Sequence, residues 1–99
     1  MAGRYAGQIY SALLSKGFRL EGTGRGPHRR LVLFVGGART SVWTVLSRDD
    51  RKVYQGGLLT SVKSQLGLET SQQVRDLVDC PLDHDDYVDI LLQAGRISL

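Results

Sequence analysis

"RLVLFVGGARTSVWTVL", residues 30–46, is the stretch whose reading decides the fold. Leu31 to Val35 form a near-continuous apolar run, too short for a helix and rich in strand formers. Gly36-Gly37-Ala38-Arg39 reads as a turn, and Ser41 to Leu46 as a returning strand, so the segment predicts an antiparallel hairpin. A hairpin of this kind needs apolar cover, and the flanking sequence supplies it. Ala6, Ile9, Tyr10, Leu13 and Leu14 recur at helical spacing, with Gly17 as a left-handed cap. Phe18 to Glu21 is a short alternating segment, and Ser47 to Gln55 reads as a polar, basic loop tip. After Gly56-Gly57, the residues Leu58, Leu59, Val62 and Leu66 return to helical period until Gly67 stops them. Residues 1–68 therefore predict helix, two or three strands, helix: an α+β sandwich with the helices on one face of the sheet.

Residues 69–99 read as a helical extension packed on the same domain. Thr70 and Gln73 have capping-box spacing ahead of Val74, Leu77 and Val78, and Pro81 ends that helix. Asp83 and Asp86 repeat the spacing, Leu82 and Tyr87 suit a hydrophobic staple, and Tyr87, Ile90, Leu91 and Ala94 make the buried stripe before Gly95. Asp83, Asp85 and Asp86 fall in a first helical turn, where the helix dipole favours negative charge. That role accounts for them, so no metal site with His84 or Cys80 is expected.

The 99 residues suit one domain, and the net charge of +3 divides unevenly along it. Residues 1–68 hold eleven Lys/Arg against three Asp/Glu, a net of +8; residues 69–99 hold two against seven, a net of −5. Such asymmetry favours a polyanion partner for the basic part. A single cysteine, Cys80, excludes an internal disulfide, and no apolar run approaches membrane-spanning length. With no signal-peptide pattern at Met1 to Tyr5, the expectation is a soluble cytoplasmic protein without a membrane partner.

Gly22-Thr23-Gly24-Arg25-Gly26-Pro27-His28-Arg29-Arg30 is the segment with chemical potential. It is not a phosphate loop, because a strand follows where a helix N-terminus is required. No Cys/His spacing suits zinc, and neither a metal nor another cofactor is expected. What remains is one imidazole, His28, among Arg25, Arg29 and Arg30. Guanidinium groups are planar donor forks for phosphate, and a neutral imidazole can act as a general base near pH 7. The set suits attack by a ribose 2′-hydroxyl on the adjacent phosphate. Arg48, Arg51 and Lys52, in the basic loop, extend the candidate RNA contacts.

Helix, Gly17-Phe18, and then Gly26-Pro27-His28 ahead of a strand resemble the HicA toxins of bacterial toxin–antitoxin pairs. The resemblance continues through Arg51-Lys52, then Gly57, Leu59, Val62, Gln65, Gly67 and Leu68 in register, and covers residues 7–68. It implies a double-stranded-RNA-binding-domain-like α-β-β(-β)-α fold, His28 as the catalytic histidine, and metal-independent cleavage of messenger RNA. It also implies a cognate antitoxin as protein partner. Pro27 stands where the family has serine, and Ser47-Arg48 lies where the family has a Pro-x-His. Two other readings accompany this one: a non-catalytic RNA-binding relative, and a protein-interaction module that uses its helical tail.

Overall fold

In the computed structural model, which describes residues 3–21, 26, 28–79 and 81–98, the predicted hairpin is the centre of a three-stranded antiparallel sheet. The elements run β1 (Arg4–Tyr5), α1 (Ala6–Ser15), β2 (Phe18–Glu21), β3 (His28–Val35), β4 (Ala38–Ser47), β5 (Val53–Tyr54), α2 (Gly57–Leu66), α3 (Ser71–Asp79) and α4 (His84–Gln93). The sheet order is β2-β3-β4, and β1 pairs separately with β5. The architecture is α+β.

The hairpin turn is tighter than the sequence suggested. Gly36 (φ 59) and Gly37 (φ 82) alone make the turn, and Ala38 already belongs to β4. Two successive positive φ values suit the right-handed twist of the strands, and glycine adopts them without strain. On β4 the register slips, because the four steps from Trp43 to Arg39 oppose only two from Val32 to Phe34. Thr40 sits in this irregularity; its hydroxyl donates to the Leu33 carbonyl (2.9 Å) and accepts from the Val42 N–H (3.2 Å). Strand β3 itself stays regular against β2, so its side chains alternate faces without interruption.

One face of the sheet carries Phe18, Leu31, Leu33, Val42 and Leu46, all buried. They form one cluster with Ile9 and Leu13 of α1, Leu59, Val62 and Leu66 of α2, Val74 and Leu77 of α3, and Tyr87 and Leu91 of α4. Each fully buried side chain of this size contributes about 1.5–3 kcal/mol of transfer free energy. The acidic extension is therefore part of the same core. Tyr87 stacks on Phe18 (centroids 6.0 Å apart), and its hydroxyl donates to the Leu66 carbonyl at 2.6 Å. That carbonyl lies in the last turn of α2, where helix carbonyls lack intrahelical donors. Burial pushes the Tyr87 hydroxyl pKa upward, which keeps it a donor.

The two capping boxes read from sequence are formed. Gln73 N donates to Thr70 Oγ1 while Thr70 N donates to Gln73 Oε1, and Asp86 N donates to Asp83 Oδ1 while Asp83 N donates to Asp86 Oδ2. Gly17 (φ 100) follows α1, and a side chain there would meet the His84 ring at 2.7 Å. The segment read as a loop tip differs: within it, Val53–Tyr54 pair with Arg4–Tyr5. Tyr54 is buried, and its hydroxyl accepts from the Ser47 N–H at the end of β4 (2.9 Å). No helix among the described residues is long and apolar enough to cross a membrane.

Candidate nucleic-acid interface

The helices pack on one face of the sheet, which leaves the other to be built from side chains alone. Register places Glu21, Arg30 and Val45 opposite one another, Arg19, Val32 and Trp43 likewise, and His28 opposite Ser47. None of these residues belongs to the apolar cluster under the helices. They are the outer face.

His28 opens β3 and is exposed. Arg30, two residues on, shares its face and is exposed too; its guanidinium lies over the Trp43 ring, 4.6 Å from the centroid. Arg19 lies likewise over Phe34, at 4.2 Å. Arg39 reaches from β4 across β3 and forms a two-pronged bridge to Glu21, both contacts at 2.9 Å. Hydrogen bonding to Arg39, with added attraction from Arg39 and Arg30, holds the Glu21 carboxyl below its usual range. Beneath these layers Val32 is only 1% exposed, although no helix among the described residues covers it. The outer face is thus an apolar strip with Arg30 and Arg19 over its two aromatic rings and Arg39 bridged to Glu21.

The expected site residues separate by strand parity. Arg29 points to the opposite face from His28, where it lies over Tyr10 of α1 at 4.0 Å. Its Nη2 donates to the Ser47 carbonyl (2.7 Å) and to Asp50 Oδ1 (2.8 Å), and the residue is 9% exposed. Its buried Nε has no hydrogen-bond partner. Arg29 is thus an internal tie between β3, β4, the basic loop and α1. Arg48 is half-buried, with Nε donating to the carbonyl of Gly26, two residues before His28, at 2.8 Å. Arg51 and Lys52 are exposed on a turn against the start of α1, where Ala6 N donates to the Lys52 carbonyl and Gly7 N to the Asp50 carbonyl. Arg25 lies outside the described residues, as do Pro27 and Cys80.

His84, considered with the acidic run, has Nδ1 2.5 Å from the Lys16 carbonyl, which ties the start of α4 to the end of α1. Among the described residues, no three His, Cys, Asp or Glu side chains form a group that could hold a metal ion.

Sequence reasoning passed over Trp43, Phe34, Arg19 and Arg39. The signal for them was the alternation Arg30, Val32, Phe34 read against Trp43 across the hairpin. Chemically, the outer face offers exposed cations, aromatic planes and, at one end, the exposed imidazole of His28. Comparison with known proteins gives no match: no family model, no curated protein and no solved structure matches this chain.

Proposed function

We propose that the protein is a HicA-like, metal-independent endoribonuclease (an mRNA interferase), with His28 as general base and a cognate antitoxin protein as its partner. The order α1-β2-β3-β4-α2, with both helices on one face of an antiparallel sheet, supports a double-stranded-RNA-binding-domain-like core. The observation that carries the reading is the placing of His28: exposed at the start of β3, on the same face as Arg30, and two residues after Gly26, whose carbonyl accepts from Arg48.

The reaction is an internal transesterification. His28 takes the proton from a ribose 2′-hydroxyl, and the oxygen attacks the adjacent phosphorus. The bond from phosphorus to the 5′-oxygen breaks, that oxygen takes a proton from water, the hydroxide so left takes back the proton held by His28, and a 2′,3′-cyclic phosphate remains. Arg30 lies on the correct face to offset charge growing on the phosphate oxygens.

The test is cleavage of labelled RNA in EDTA. His28→Ala loses about 10²–10⁴-fold in rate while its circular dichroism stays that of the parent. Equal cleavage by the variant, or activity only with added metal, defeats the proposal. The Arg30–Trp43 and Arg19–Phe34 stacks favour a second reading, RNA binding without cleavage. Retention of RNA by a parent protein that does not cleave it selects that reading.

A further inference from the structure

We infer that the outer face of the sheet is a stacking platform for single-stranded nucleic acid, with Trp43 and Phe34 as base-stacking positions and Arg30 and Arg19 as the phosphate ligands paired with them. The inference rests on the RNA reading above for the kind of partner, but not on cleavage.

Three observations converge on it. First, Trp43, midway along the edge strand β4, is 38% exposed and lies outside the apolar cluster under the helices. Second, each aromatic on this face already has a guanidinium layered on it, at 4.6 Å for Arg30 and 4.2 Å for Arg19. A guanidinium plane and a nucleobase are both flat, and both stack on aromatic rings, so such a stack marks a place a base can take. When a base enters, the displaced guanidinium is already beside it, positioned to pair with the flanking phosphate. Third, the face is electrostatically matched to a polyanion: Arg19, Arg30 and Arg39 stand against one carboxylate, Glu21, which is itself bridged by Arg39.

The geometry also favours a single strand over a duplex. Trp43 opposes Val32, and Phe34 lies two residues further along β3, so the two rings are diagonal neighbours on adjacent strands. Diagonal positions are about 7–8 Å apart, within reach of successive unpaired bases. Bases inside a duplex present their edges, not their faces, and cannot use such rings. His28 shares this face, one register step beyond Arg30, so a strand lying along β3 passes from the aromatics to the imidazole.

Trp43 is the sole tryptophan, so its fluorescence reports on the platform directly. The probe is a single-stranded oligodeoxyadenylate of about ten nucleotides, which lacks the 2′-hydroxyl and cannot be cleaved by the proposed route. Saturable quenching of Trp43 by the single strand, with much weaker quenching by the matched duplex, is the expected result. By anisotropy of a labelled oligomer, Trp43→Ala weakens binding about 5- to 150-fold, the scale of one lost base–aromatic stack, and Trp43→Phe recovers most of it. Thermal melts check the folding of each variant, and quenching of the parent protein decides the matter without any variant.

Binding of the oligomer or of RNA with no change in Trp43 fluorescence overturns the platform while leaving RNA recognition intact. Quenching by single strands in a protein that never cleaves RNA upholds the platform and removes the ribonuclease. Failure of any oligonucleotide to bind overturns both, and leaves the face to a protein partner.

Discussion

The guanidinium of Arg29 lies 4.0 Å above the Tyr10 ring, so the cation next to His28 in sequence is turned to the opposite side of the sheet. Strand alternation alone separates the two. Arg29 therefore acts on the site by holding β3 to α1 and to the end of β4, and Arg30 is the neighbour that His28 meets on its own face.

Arg29→Ala should destabilise the fold by about 2–4 kcal/mol. The change removes a part-desolvated cation–π contact and leaves the nearly buried Ser47 carbonyl without its guanidinium donor. In urea titrations the midpoint falls with little change in slope. Arg29→Lys recovers only part of the loss, because an ammonium is a point charge and not a planar fork. A shift below about 0.5 kcal/mol for the alanine variant would show that Arg29 is not an internal tie.

RNA binding by the exposed cations should depend steeply on salt. For a single strand, log affinity against log salt falls by about 0.7 for each phosphate neutralised. Arg30→Gln, Arg51→Gln and Lys52→Gln should each flatten the slope by about that amount where the side chain meets a phosphate. A parent slope near zero would set nucleic acid aside in favour of a protein partner.

The acidic extension should leave RNA affinity nearly untouched. Tyr87 anchors α4 on Phe18, on the helical side of the sheet, and Asp85 and Asp89 are exposed there. At physiological salt the screening length is about 8 Å, shorter than the roughly 10 Å between packed layers. Asp85→Asn with Asp89→Asn should change affinity less than about twofold at that salt. A gain of several-fold would mean that these carboxylates compete with phosphate.

Acid should weaken the fold through three carboxylates, of which Glu21, held down by its bridge from Arg39, is one. Asp83 is held below its ordinary pKa chiefly by the Asp86 N–H, and Asp79 chiefly by its hydrogen bond from Arg4. A depressed folded-state pKa gives stability that is complete above the unfolded value, about 3.9 for an aspartate, and that is lost as pH falls through the folded value. The melting temperature should therefore drop below about pH 4. Asp83→Asn keeps a capping side chain without the titration, so its profile should be flatter in that range. If Asp83→Asn combined with Asp79→Asn declines as steeply as the parent, other groups carry the effect.

Tyr87→Phe tests the join between the extension and α2. The substitution preserves the ring against Phe18 but removes the donor to Leu66, at a cost of about 1–3 kcal/mol for a buried acceptor left unpaired. A calorimetric melt indistinguishable from the parent would mean that water or relaxation satisfies the carbonyl.

By itself the sequence determined what depends on neighbours within a few residues. The stripe from Ala6 to Leu13, the hairpin around Gly36-Gly37, and the reciprocal caps at Thr70/Gln73 and Asp83/Asp86 are all local, and all are formed. The pairing of Arg4–Tyr5 with Val53–Tyr54 was not legible, because two-residue strands have no period and their partners lie some fifty positions apart. Sidedness, too, belonged to the tertiary structure. Alternation along β3 separates Arg29 from His28 and Arg30, but only the packing of the helices on Leu31 and Leu33 decides which set is covered. The same packing turned Trp43 and Phe34 outward beneath Arg30 and Arg19, and sent the acidic extension to the far side through Tyr87 on Phe18. A local pattern says that an amphipathic element has an apolar face. Which surface that face meets is chosen by burial summed over the whole chain.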